Sequence, residues 1–218
     1  MKVSFNEFLV FGDLAGRYNE MCSILSQAPK DIPIICVGDP NDRGPDSKKV
    51  IEFFMHPDRY LTQSNHATFI VDNYEDSKIY EDGLWLAQGG LQTMKSYGVH
   101  FDEDLRSLQH YFLICVDGYG KEDQKFKDLV KYYREEFAKV IPQSHIDFLK
   151  SSPMYIETDE VIITHAPINP IKKLEESIQW GRSKLQNWDR ADMNFIWRRD
   201  GTRRRDKIQI HGHCALVS

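Results

Sequence analysis

Five short apolar runs, each ending at once in a polar exit, constrain what this 218-residue chain can fold into. Phe8–Phe11 leads to Gly12-Asp13, Ile34–Val37 to Gly38-Asp39, and Tyr60–Gln63 to Ser64-Asn65-His66. Val161–Thr164 leads to His165, and Lys207–Ile210 to His211-Gly212-His213. Runs of four residues bounded by glycine or turn formers are too short for helices and read as buried strands. Between the first three lie helical periods. One spans Tyr18–Ala28, with Met21, Ile24 and Leu25 on one face, and another is opened by Pro45 and ends at Phe54. Strand and helix alternating at this spacing predict a layered α/β architecture.

The stretch Val37–Ser47 is the most chemically loaded exit. Asp39, Asp42 and Arg43 fall within five residues just past an apolar run, where open α/β sheets bind their ligands. Such a loop offers a hard oxygen ligand, a second acid to orient another group, and a planar cation for an oxyanion. A polar turn closed by an internal salt bridge would read the same way in isolation. The recurrence of Asp13, Asn65 with His66, His165 and His213 at the other exits favours convergence on one sheet edge. Mixed carboxylate, amide and imidazole donors suit manganese, iron or zinc better than calcium.

Composition narrows the rest. A chain of this length with 41% hydrophobic residues can bury one sizeable core. No Gly-, Ser- or Pro-rich linker divides it, so one domain over residues 1–218 is expected, with residues 70–152 as a helical cap. In that region Phe126, Leu129, Val130, Tyr133 and Phe137 mark the buried stripe of a helix running to Val140, and a short helix follows at Ser144–Leu149. Asp159-Glu160 reads as a hairpin turn between Met154–Glu157 and Val161–Thr164. A net charge of -5 argues against a general nucleic-acid surface, which leaves Arg203–Arg205 as a solvated loop. Trp188 and Trp197 read as core or cleft-wall aromatics. Cys22, Cys36, Cys115 and Cys214 form no Cys-x-x-Cys pair. With no signal-peptide pattern at Met1–Glu7 and no membrane-length apolar run, a reducing, cytoplasmic location is expected.

The ordered motifs resemble a known superfamily. Gly-Asp-x-x-Gly at 12–16, Gly-Asp-x-x-Asp-Arg-Gly at 38–44, Asn65-His66, His165-Ala166 and Gly212-His213 are together similar to the metallophosphoesterases. The likeness is to their phosphoprotein phosphatase branch, with its compact bacterial and phage serine/threonine phosphatases and the related diadenosine tetraphosphatases. Gln88-Gly89-Gly90 and Ile196–Arg199 add to it. The resemblance implies a two-sheet α/β sandwich flanked by helices, and hydrolysis of phosphate monoesters by direct attack of metal-bound hydroxide. It implies a dinuclear centre, with manganese (or iron or zinc) as the cofactor. Asp13 and the bridging Asp39 would hold the first ion, and Asp39, Asn65, His165 and His213 the second. His66, oriented by Asp42, would be the general acid, while Arg43 and Arg199 would grip the phosphoryl group of a phosphorylated protein or small phosphoester.

The chain departs from that pattern at two positions. Ala15 stands where the family has a histidine ligand of the first metal, and Ala67 where it has a supporting glutamate. The second ion is therefore expected to be the tighter one. An inactive phosphatase-like binder of phosphorylated partners is the alternative, as is a diadenosine tetraphosphate or cyclic-nucleotide hydrolase.

Overall fold

The computed structural model describes residues 1–5, 7–75, 83–119, 123–168 and 207–213. Two three-stranded sheets form its centre. In the first, β1 (Leu9–Phe11), β2 (Ile34–Cys36) and β3 (Arg59–Leu61) lie parallel in that order, with Val10 opposite Ile35 and Ile35 opposite Tyr60. In the second, β5 (Val161–Thr164) lies between β4 (Tyr155–Glu157), its antiparallel hairpin partner, and β6 (Ile208–His211), which runs parallel to it. Residues 1–3 run alongside β4, through Val3 N–H to Glu157 O at 2.9 Å and Glu157 N–H to Met1 O at 3.0 Å.

Period-two alternation decides how the sheets stack. Val10, Ile35, Val37 and Tyr60 point one way and meet Ile156, Ile163 and Ile210 of the second sheet, a dry interlayer. Leu9, Phe11, Cys36 and Leu61 point the other way, into a core shared with the helices. The chain thus has the layered α/β architecture that its pattern predicts, arranged as the two-sheet sandwich with flanking helices that the resemblance implies.

Among the described residues the helical layer comprises α1 (Tyr18–Leu25), α2 (Ser47–Phe54), α3 (Asn65–Tyr74), α4 (Leu91–Ser96), α5 (Leu105–Ile114), α6 (Gln124–Val140) and α7 (Gln143–Ser151). Two wide π-helical turns, Leu86–Gly90 and Cys115–Tyr119, connect them. Trp85, Phe69, Phe112, Phe126 and Phe137 are fully buried in this layer. Burial of each large side chain contributes about 1.5–3 kcal/mol as an upper bound. Two helices add to expectation. Asn65 and His66 follow β3 as predicted but already open α3, whose N-cap Ser64 accepts the Ala67 N–H. Leu105, Leu108 and Phe112 line one face of α5, a helix the sequence analysis does not assign.

Candidate functional site

The carboxyl ends of β1, β2, β3, β5 and β6 bring the predicted polar residues to one side of the sandwich. The backbone there is unusually left-handed. Ala15 (φ 46°), Asp39 (φ 46°), Asp42 (φ 72°), Arg43 (φ 61°) and His213 (φ 64°) all take positive φ without being glycine. Such conformations persist only where surrounding structure enforces them, and they cluster at functional sites. Any side chain at Gly38 (φ 122°) would force its neighbours to shift, since a Cβ there would lie 2.6 Å from His165 Nδ1 and 2.6 Å from Ser64 Cβ. Ser64 ties the β2 and β3 exits together, its hydroxyl accepting the Asp39 N–H at 2.7 Å.

Four donor atoms converge beyond these exits. His165 Nε2 lies 2.8 Å from Asn65 Oδ1, 3.1 Å from His213 Nδ1 and 3.6 Å from Asp39 Oδ1. His165 Nδ1 sits 3.1 Å from Val37 O. A carbonyl only accepts, so the ring proton belongs on Nδ1 and the lone pair on Nε2. A lone pair 2.8 Å from an amide oxygen is repulsive, and either a cation between them or a flipped Asn65 amide donating to Nε2 relieves it. Ligand atoms around one ion with bonds of about 2.0–2.2 Å stand about 3 Å apart, the spacing seen here. The donor set fits one divalent transition metal. Asp39, His165 and His213 are the one His, Cys, Asp and Glu group of that tightness among the described residues.

Asp13 stands beside this group and is not part of it. Its two carboxylate oxygens accept the His213 N–H, each at 3.1 Å, and Oδ1 is 3.8 Å from His165 Nδ1. Burial raises the Asp13 pKa, only partly offset by His165. Burial also acts to raise Asp39, but His165, His66 and the Ser64 hydroxyl outweigh it and hold that carboxyl below its ordinary value. Ala15, between the two strand exits, carries a methyl with no lone pair to offer a metal.

An acid–base pair adjoins the donors. His66 Nδ1 is 2.5 Å from Asp42 Oδ2, with both side chains buried. Burial opposes charging His66, yet the hydrogen bond and charge of Asp42 outweigh it, so its pKa is raised. The His66 backbone N–H donates to Asp39 Oδ1 at 3.2 Å, which fixes the pair against the donor cluster. The exposed Arg43 reaches His66 Nε2 at 3.3 Å through Nη2. Sequence reasoning missed four supports: Asn41, whose amide donates to His66 O at 3.0 Å, Ser64, Trp85 and Thr93. A serine capping an apolar helical period was a usable signal for Ser64, whereas nothing local marks the others. Arg199, Trp188, Trp197 and Arg203–Arg205 lie outside the described residues. A separate cavity of about 430 Å³, lined by Tyr74, Lys127, Val130 and Arg134, includes none of these donors.

No protein-family model matches the chain. It is 33% identical over 89 residues to serine/threonine-protein phosphatase 2 of Escherichia coli, a match covering 39% of each protein. Among solved structures it is similar to a provisionally assigned diadenosine tetraphosphatase (TM-score 0.46, 15% identity, 83% of this chain and 63% of that one). It is also similar to the cold-active protein-tyrosine phosphatase of a psychrophilic Shewanella (TM-score 0.45, 13% identity, 90% and 60%). In each case the match spans less than two thirds of the other protein's length. No helix among the described residues is long and apolar enough to cross a membrane. Over those 89 residues the chain is similar to the E. coli phosphatase, and the convergence of its aspartate, asparagine and histidine donors agrees with the resemblance to the metallophosphoesterases that its motifs carry.

Proposed function

We propose that the chain is a metal-dependent phosphoesterase that hydrolyses phosphate monoesters, most like a serine/threonine protein phosphatase. The observation that carries this reading is the convergence of Asp39, Asn65, His165 and His213 beside the buried Asp42–His66 pair. Those four donors would hold one divalent ion, with manganese the first candidate and iron or zinc the others. Such an ion supplies Lewis acidity at the phosphoryl oxygens and lowers the pKa of water. Asp13, tied to the His213 N–H, holds β6's exit in place and would serve a second ion only weakly.

The remaining chemistry belongs to the chain's own groups. Arg43, and Arg199 if the chain brings it near, would grip the phosphoryl oxygens. Water attacks phosphorus as the bond to the ester oxygen breaks. His66 delivers its Nε2 proton to the departing oxygen, giving an alcohol and inorganic phosphate, and recovers a proton from solvent. Asp42 favours the protonated imidazole that this role needs. Residues 1–218 would act as one domain, with residues 70–152 as its helical part. Among the described residues Cys22, Cys36 and Cys115 are free thiols, which suits a cytoplasmic setting.

Manganese-dependent release of p-nitrophenol from its phosphate ester tests the reading. Release is expected in the natural chain and absent in Asp39→Asn; equal rates in the two would remove this site from the chemistry. A panel including phosphopeptides, diadenosine tetraphosphate and cyclic nucleotides assigns the substrate class. Ala15 and Ala67 favour a second reading, an inactive binder of phosphorylated partners. That reading requires phosphopeptide affinity with no turnover over hours in saturating manganese.

A further inference from the structure

Asp42 is more heavily held than a simple partner of one histidine requires. Its side chain is wholly buried, and its carboxylate meets three side chains. His66 Nδ1 approaches Oδ2 at 2.5 Å. The Trp85 indole N–H spans both oxygens, at 3.0 Å to Oδ1 and 3.1 Å to Oδ2. The Thr93 hydroxyl lies 2.6 Å from Oδ1. Thr93 Oγ1 also accepts the Asp42 N–H at 2.9 Å and stands 3.0 Å from Ser47 Oγ, so its own proton is directed to the carboxylate. Trp85 precedes the wide turn Leu86–Gly90 and Thr93 lies on α4.

The indole's seat is specific. A Cβ at Gly90 would meet the Trp85 ring at 2.7 Å, and the ring also packs edge-on against Phe137, centroids 5.2 Å apart. A carboxylate bonded to His66 alone could turn about its Cβ–Cγ bond. With both oxygens bridged by one donor and Oδ1 bonded by a second, its plane is fixed and Oδ2 stays aimed at Nδ1. Trp85 and Thr93 are neutral, so they orient the acid without neutralising it, and the charge remains available to His66.

We propose that Trp85 and Thr93 are positioning residues for the Asp42–His66 acid, acting through Asp42 and touching no substrate. The inference rests on the proposed function, in which His66 protonates the leaving group. Trp85→Phe keeps the packing and removes the N–H, while Thr93→Val removes the hydroxyl at nearly constant volume. Two measurements on the full chain separate positioning from packing.

In the metal-free protein, the His66 Nδ1–H should give a far-downfield proton resonance, identified by its loss in His66→Asn. It should shift or broaden in both variants and return in Thr93→Ser. With manganese bound, kcat for phenyl phosphate, a poor leaving group, should fall about tenfold, a fraction of the whole contribution of a general acid. KM should hold, and 2,4-dinitrophenyl phosphate, which needs little protonation, should change less than twofold. An unshifted resonance in both variants overturns the inference, as does an equal loss for both esters. If the natural chain hydrolyses neither ester, the phosphatase reading fails, and the resonance in the metal-free protein still decides whether Trp85 and Thr93 set the pair.

Discussion

At position 15 the side chain is a methyl group on a residue held at φ 46°, its N–H donating to Asp39 O at 2.8 Å and its carbonyl accepting the Gly44 N–H at 2.9 Å. The backbone therefore knits the first two strand exits together while the side chain adds no ligand. Histidine tolerates left-handed backbone better than most residues. Ala15→His should raise bound manganese from one ion per chain toward two. It should also raise the phosphatase rate at least about tenfold, or about 1.4 kcal/mol of barrier. Elemental analysis of the dialysed proteins checks the first expectation, and two ions in the natural chain would refute the ligand count. Gly38→Ala should cost on the order of 1–3 kcal/mol, from strained backbone and the clash with His165 Nδ1. Its urea midpoint and metal affinity should fall together, because one displacement causes both. Asp39 and His165 were legible as candidates because each follows a short apolar run directly or after a single glycine, and Asp13, Asp42, Arg43 and His213 because they lie within a few residues of a strand's end. Thr93 and Trp85 were not, since a hydrogen bond spanning 51 or 43 residues leaves no periodic trace in the sequence.

Strands β1, β2 and β5 were legible as elements, because Val, Ile and Phe runs ending at glycine or histidine allow little else. Helix α3 was not, because its first turn carries Asn65 and His66, poor helix formers that read as loop. Tertiary demand overrides that preference, since Phe69 and Ile70 are fully buried. Helix α6 reaches the site indirectly. Phe137 packs edge-on against both Trp85 (5.2 Å) and Tyr97 (5.5 Å), so Phe137→Ala should destabilise the fold by about 3–5 kcal/mol. Calorimetry should show the lower melting point. Activity well below the melting transition should fall too, as the indole loses its backing. Between α7, α4 and α2, His145 is buried with Nδ1 2.8 Å from the Tyr97 hydroxyl and Nε2 4.0 Å from Glu52. Burial lowers its pKa; Glu52 opposes that and Lys48 adds to it. The folded state thus prefers neutral His145, and the unfolded chain binds its proton more readily. This stability is present above the unfolded value of about 6.5 and is lost as pH falls below it. Denaturation midpoints at pH 8 and pH 5.5 should differ more in the natural chain than in His145→Gln. An equal drop in both would assign the effect elsewhere.

At the scale of the whole molecule, the two sheets meet through Ile35, Val37, Ile156 and Ile163, and the donors are shared between them. Asp39 and Asn65 follow strands of the first sheet, while His165 and His213 follow strands of the second. Any ion bound by all four therefore joins the layers and favours the folded state by mass action. At manganese a hundredfold above its dissociation constant the gain is about 2.7 kcal/mol, or a melting-point rise of about 5–10 °C for a chain of this size. Asp39→Asn should abolish most of that rise in a thermal melt. The pairing of Asp13 with the His213 N–H carries a further consequence for how the protein comes into being. These partners are 200 residues apart, so the last donor takes its place only after β6 has docked beside β5. A growing chain can form its first sheet, with Asp39 and Asn65 set, while His165 and His213 are not yet in place. An ion held by all four donors would thus report that both sheets have folded, and a chain lacking β6 would hold the same metal only loosely.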